Sequence, residues 1–191
     1  MRLQIKDSPT SYGWISILLH WLAVGIVLTL WFIGDSAQAI DSLAARIIQI
    51  RLHISIAICA YLLLLTRIIW RLMSGHPRIK GQGQLDHWLA NSAHYILLAA
   101  ITVMLISGPT IVWSGGRDIL VFNWFSIPGP IGKNEVLNQI ASSVHGFSAT
   151  VILIVFTLHM IGAFKHLMFH DDDIFIRMLV PEKKDSKAKG Q

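Results

Sequence analysis

Two histidines, His145 and His159, lie in an apolar run from Val136 to Phe164 that contains no Asp, Glu, Lys or Arg. They stand fourteen positions apart, which on an α-helix is roughly 21 Å along the axis and roughly 40° around it. They therefore share one face at two depths. An imidazole in hydrocarbon is costly without a partner, so such a residue reads as functional. Its nitrogen is also a good ligand for iron and other transition metals. His20 and His53 lie in earlier apolar runs and are the natural partners.

The elements that must position these histidines are membrane helices. Of 191 residues, 53% are hydrophobic and 14% charged, with a mean hydropathy of +0.56, a composition foreign to soluble domains. A spanning helix needs about 20 apolar residues, and four runs qualify, at about 12–34, 47–70, 87–113 and 138–164. The expected fold class is an all-α, integral membrane four-helix bundle. Residues 1–180 make one domain, and 181–191 form a Lys-rich tail expected to be disordered. The first run is too long for a signal peptide's apolar region, and it contains His20. It is expected to end at Asp35, and Pro109 is expected to kink or end the third run. The connection from Ser114 to Glu135 carries Phe122, Trp124 and Phe125, an aromatic patch suited to the membrane interface. Ile174 to Leu179, after three aspartates, reads as a short surface helix.

A net charge of +5 does not point to nucleic acid, because the basic residues flank the apolar runs. Twelve of the sixteen Lys and Arg fall on the side that holds both termini and the loop around Arg78 and Lys80. By the positive-inside rule both termini are cytoplasmic. Cys59 is the only cysteine, so an intramolecular disulfide and a C-x-x-C-H haem attachment are both excluded.

That topology puts His20 and His159 near the cytoplasmic surface and His53 and His145 near the outer one. A single membrane histidine serves equally well as an interhelical hydrogen-bond partner. Four at matched depths suit two iron sites in a bundle core, each with two axial imidazoles. The expected cofactors are two non-covalent b haems, with the pairs His20/His159 and His53/His145 as iron ligands. With both axial positions filled, electron transfer is favoured over oxygen binding. A metal transport path would want carboxylates inside the spans, and these runs lack them. His94 lies as deep as His20, and depth does not exclude it. Arg51, Arg67 and Arg71 are candidates for haem propionate contacts, because arginine forks onto carboxylates.

Several fragments carry a resemblance. They are Tyr12-Gly13-Trp14-Ile15-Ser16 through Leu19-His20-Trp21, Leu52-His53-Ile54-Ser55-Ile56, Arg67 through Arg71, Ala93-His94-Tyr95, Val144-His145-Gly146, and Leu158-His159 with His166 seven residues on. In this order and spacing the chain resembles the bacterial cytochrome b561 family of four-helix, di-haem inner-membrane proteins. The resemblance implies axial ligation by His20, His53, His145 and His159 and leaves His94 without an axial role. It also implies a membrane oxidoreductase, since one activity of the family is oxidation of superoxide with ubiquinone as acceptor. Lys80 and His166 are then candidates for quinone contacts. Arg46, Arg51, Arg117 and Lys133 are available to draw a small anion to the outer side.

Two readings follow. In the first, electrons pass between a periplasmic one-electron donor and the quinone pool. In the second, the chain is a haem-bearing anchor subunit that docks a separate soluble redox protein through its aromatic outer loop.

Overall fold

The computed structural model describes residues 4–8, 11–74, 84–169 and 178–179. Four helices dominate it: α1 (Trp14–Gln38), α2 (Leu43–Met73), α3 (Gln84–Ser114) and α4 (Glu135–Phe169). Between α3 and α4 two short strands, β1 (Ile119–Val121) and β2 (Phe125–Ile127), pair antiparallel. Even the shortest helix, of 25 residues, is about 37 Å long and can cross a hydrocarbon core of about 30 Å. Each helix contains a span-length stretch with a mean hydropathy of 2.1 or 2.2. The architecture is the expected four-helix membrane bundle.

Except at the start of α1, the helices overrun the apolar runs at both ends. The first helix continues past Asp35 to Gln38, and the fourth begins at Glu135 and continues to Phe169. Hydropathy marks where hydrocarbon ends, whereas backbone hydrogen bonding continues into the headgroup layer, where charges are solvated. The third helix likewise runs through Pro109 to Ser114. Proline removes one N–H and crowds the carbonyl four residues before it, here that of Leu105, yet membrane helices tolerate this when neighbouring helices support the segment. The expected surface helix at 174–179 and the tail at 181–191 lie outside the described residues, apart from Met178 and Leu179.

The bundle is apolar outside as well as inside. Phe32, Leu62, Ile106 and Phe147 are exposed outward, where lipid would meet them. Exposed threonines in the spans satisfy themselves: the hydroxyls of Thr29, Thr66, Thr110, Thr150 and Thr157 each donate to the carbonyl four residues earlier. In a solvent without hydrogen-bonding partners this back-bonding keeps a polar side chain affordable.

The helices associate as two hairpins, α1 along α2 and α3 along α4, with slighter contact between α2 and α3. A core of Ala23, Ala60, Leu64, Ile68 and Leu105 joins the halves at mid-depth. Arg46 reinforces the first hairpin, its Nε and Nη2 both donating to the Ile40 carbonyl at 3.1 and 2.7 Å. The second is tied by Asn138, whose Nδ2 donates to the Ile111 carbonyl at 2.7 Å, and by Asn134, whose Oδ1 caps the start of α4.

The β-hairpin was not foreseen. Ile119 and Val121 are 1% and 0% exposed and pack on Val112, Ile54 and Ile58, so β1 caps the bundle. Its turn puts Phe122 and Asn123 at φ of 45° and 59°, a conformation more often given to glycine. The expected patch of Phe122, Trp124 and Phe125 is exposed on its tip. The strap is pinned by buried Ser55 of α2, whose Oγ accepts from the Phe122 N–H at 3.0 Å and donates to the Arg51 carbonyl at 2.8 Å. Ser55→Ala should leave the Phe122 N–H unpaired at a cost of about 1–3 kcal/mol. The expected readouts are a lower melting temperature in detergent and faster proteolysis within 118–128.

Candidate functional site

The loop between α1 and α2 and the β-hairpin lie at one end of the bundle; the N-terminal segment lies at the other. At the hairpin end His53 of α2 and His145 of α4 face each other, with ring centres 6.4 Å apart and planes at 77°. Two imidazoles on opposite sides of one metal, with bonds of about 2 Å and roughly 1.1 Å from nitrogen to ring centre, stand about 6.3 Å apart. Direct ring contact would be closer. The observed separation leaves room for one metal atom between the rings.

Both rings are held by their other nitrogen. The Nδ1 of His53 lies 3.0 Å from the Leu30 carbonyl, which can only accept, so Nδ1–H donates. The Nδ1 of His145 lies 2.9 Å from the Ser107 hydroxyl, which is itself 3.5 Å from the Met104 carbonyl. With the hydroxyl hydrogen turned to that carbonyl, Nδ1–H again donates. Each Nε2 then keeps its lone pair, the state a metal requires.

Glycine makes room for this arrangement. A Cβ on Gly34 would lie 3.2 Å from the His53 Nδ1, and one on Gly108 would lie 3.6 Å from the His145 Cε1. Around the two rings is a cavity of about 580 Å³ reached by all four helices and roofed by Ile119, within the range of roughly 300–1,000 Å³ usual for cofactor sites. Its walls are mainly aliphatic, with Gly146 and Ala149 on α4 leaving further space. Donor set, spacing and cavity together fit a planar cofactor such as haem.

Several cations are expected near this end. Arg51 is exposed, and the described lining of the cavity contains Asp35 and Gln38 but no Lys or Arg. Arg46 is taken up by the Ile40 carbonyl, and Lys133 pairs with Glu135 at 3.1 Å.

At the opposite end His20, His94 and His159 form one cluster with Arg67 and Arg71. His159 stands against His94, ring centres 4.8 Å apart, closer than two axial ligands of one metal. The Nη2 of Arg67 points at the Nδ1 of His20 from 3.5 Å. Since arginine only donates, the His20 nitrogen is the acceptor, the reverse of the arrangement at the hairpin end. The Nδ1 of His94 is buried without a hydrogen-bond partner among the described residues. Arg67 and buried Arg71 line a small polar pocket with Asp7, Tyr12, Ser16 and His94. Burial pushes the Tyr12 hydroxyl above its ordinary pKa, and the nearby Arg71 only partly offsets this. Asp7 also fixes the N-terminal segment, its Oδ1 accepting from the Gly13 N–H at 2.7 Å. Lys80 lies outside the described residues; His166 falls in the last turns of α4.

Depth reasoning missed Leu30, Ser107, Gly34 and Gly108. Their signals were present but read differently, Gly34-Asp35 as the end of a span and Gly108-Pro109 as a helix breaker. Gly34→Leu should push the His53 ring off the Leu30 carbonyl and weaken haem retention about 10–100-fold. Gly25→Leu, where an added Cβ meets open space, should retain haem as the wild type does. Haem bound per chain after dilution in detergent distinguishes the two.

The comparisons with known proteins concern the chain as a whole. The chain is 28% identical over 189 residues to cytochrome b561 homolog 2 of Escherichia coli (strain K12), an alignment that covers 96% of this chain and 98% of the relative. The family model for prokaryotic cytochrome b561 matches residues 11–181. Four membrane-spanning helices and a match over nearly the whole chain lead to one conclusion: the protein belongs to the prokaryotic cytochrome b561 family, multi-pass inner-membrane proteins that use haem b for transmembrane electron transfer.

Proposed function

We propose that the chain carries single electrons between a periplasmic donor, for which superoxide is the favoured candidate, and the ubiquinone pool, by way of two bis-histidine b haems. The facing rings of His53 and His145, 6.4 Å apart with both Nδ1 atoms engaged, are the observation that supports it most directly. Haem b, when bound, supplies the one-electron couple, and the protein orients it and sets its electronic surroundings.

The chain's own residues do the rest. His53 and His145 hold one haem near the outer surface. His20 and His159 are assigned the other, on the depth argument and the family resemblance, with His94 packed beside His159 as a neighbour and not a ligand. With two histidines of the chain to hold each haem, electron transfer would be favoured over binding of a small molecule at the metal. Each superoxide that gives up one electron leaves as dioxygen; ubiquinone takes two electrons and two protons to become the quinol. The basic side of the membrane topology puts both termini, Lys80 and His166 in the cytoplasm, where the last two are proposed quinone contacts. Arg67 and Arg71 are proposed propionate partners at that level, and Arg51 at the outer one.

A second reading rests on the β-hairpin. Trp124 is 76% exposed on a strap that is itself firmly pinned to α2, which suits docking of a soluble redox protein by a haem-bearing anchor subunit.

The deciding experiment is a reduced-minus-oxidised spectrum of the purified protein with haem quantified per chain, followed by superoxide with and without a water-soluble ubiquinone. Two b haems reduced by superoxide and reoxidised by quinone are the expected result. Reduction by quinol but not by superoxide would transfer the proposal to the docking reading. His53→Ala and His145→Ala should each lose the outer haem, His20→Ala and His159→Ala the inner one, and His94→Ala should keep both. Loss of a haem from the His94 variant would make His94 a ligand.

A further inference from the structure

We infer that Ser107 is the positioning residue through which this chain sets the redox poise of the haem at the hairpin end; the inference rests on the bis-histidine reading above.

The two ligand rings there are anchored by different kinds of acceptor. His53 donates to the main-chain carbonyl of Leu30, a group that every residue supplies and no substitution removes. His145 Nδ1 instead meets a side-chain hydroxyl, Ser107 Oγ at 2.9 Å, and donates to it when the hydroxyl hydrogen turns to the Met104 carbonyl, so this bond is written in one codon. The hydroxyl is buried, with Ser107 4% exposed, and belongs to the helix turn immediately before Gly108, which faces the His145 ring. The cavity beside it is walled mainly by aliphatic side chains, so water does not compete for the Nδ1–H and the bond counts for more than it would in solvent. The 3.5 Å approach of the Ser107 hydroxyl to the Met104 carbonyl polarises the oxygen further as an acceptor.

An acceptor on Nδ1–H moves electron density to Nε2 and strengthens imidazole as a donor to the metal. Stronger donation favours the oxidised ion, and hydrogen bonding around the ligands is one of the protein's levers on haem potential. Ser107 therefore holds the outer potential down and fixes the ring plane of His145. Removing its oxygen should favour the reduced form at that haem alone.

The test uses the full chain purified with its haem, examined by potentiometric titration and by EPR of the low-spin ferric signals. Ser107→Ala should raise one midpoint potential and leave the other in place. It should also alter one ferric signal and speed haem loss about 10–100-fold. Ser107→Thr, which keeps a hydroxyl, should restore wild-type behaviour. If Ser107→Ala cannot be recovered with haem, Ser107→Cys, a weaker acceptor, must show an upward shift of the same haem. Unchanged potentials and signals in a haem-replete Ser107→Ala or Ser107→Cys protein would overturn the inference while leaving the bis-histidine reading intact. Equal shifts at both haems, or failure of threonine to restore, would identify a packing effect and overturn it too. A wild-type protein that binds no haem between His53 and His145 would overturn both.

Discussion

The structure turns on two hydrogen bonds that decide which way two imidazole rings face. A neutral imidazole has one donor and one acceptor nitrogen, and in hydrocarbon neither can be left to water. At His53 the donor nitrogen is taken by the Leu30 carbonyl, and at His145 Nδ1 pairs with the Ser107 hydroxyl, which leaves each Nε2 available to a metal between the two helical hairpins. Much else at that end serves this orientation. Gly34 withdraws a side chain from the His53 ring, and Ser55, two residues after His53, fastens α2 to the hairpin that roofs the cavity.

The opposite end uses similar residue types with different logic. Its three histidines share space with two arginines and the folded N-terminal segment. Packing there is polar and tight: the Trp70 Nε1 donates to the Ser16 hydroxyl at 2.7 Å, and the Trp21 Nε1 to the Met178 carbonyl at 2.7 Å. Gly13 is required by this fold, since an added Cβ would collide with the Ile5 carbonyl oxygen. One end of the bundle is thus an aliphatic chamber and the other a charged knot. Two redox centres in such unlike surroundings would have unlike potentials, which is what gives a relay a direction.

Much of this was legible before any coordinates. Uninterrupted apolar runs have few physical fates other than spanning a bilayer, and a rise of 1.5 Å per residue converts sequence position into depth well enough to bring His53 and His145 to one level. Depth does not convert into azimuth, however, and this is why His94 could not be separated from His20. What failed were rules from water applied to lipid. Pro109 read as a kink or an end, and the helix does not end there but continues to Ser114; Asp35 read as an end but lies one turn inside. The β-hairpin escaped notice because its strands have three residues each and its left-handed turn uses Phe122 and Asn123 in place of glycine. Ser107 was invisible for another reason: a serine in an apolar run is ordinarily a back-bonded spectator, and only the ring beside it makes it otherwise.

The two-hairpin build has a consequence for how the molecule is made. Because α1 and α2, like α3 and α4, find most of their contacts with each other, each half can enter the bilayer and settle as an independent unit during synthesis. The halves meet over less protein surface than each hairpin shares within itself. His53 comes from the first half and His145 from the second, so a group gripped by both would act as a clasp between them, its binding favouring the assembled bundle.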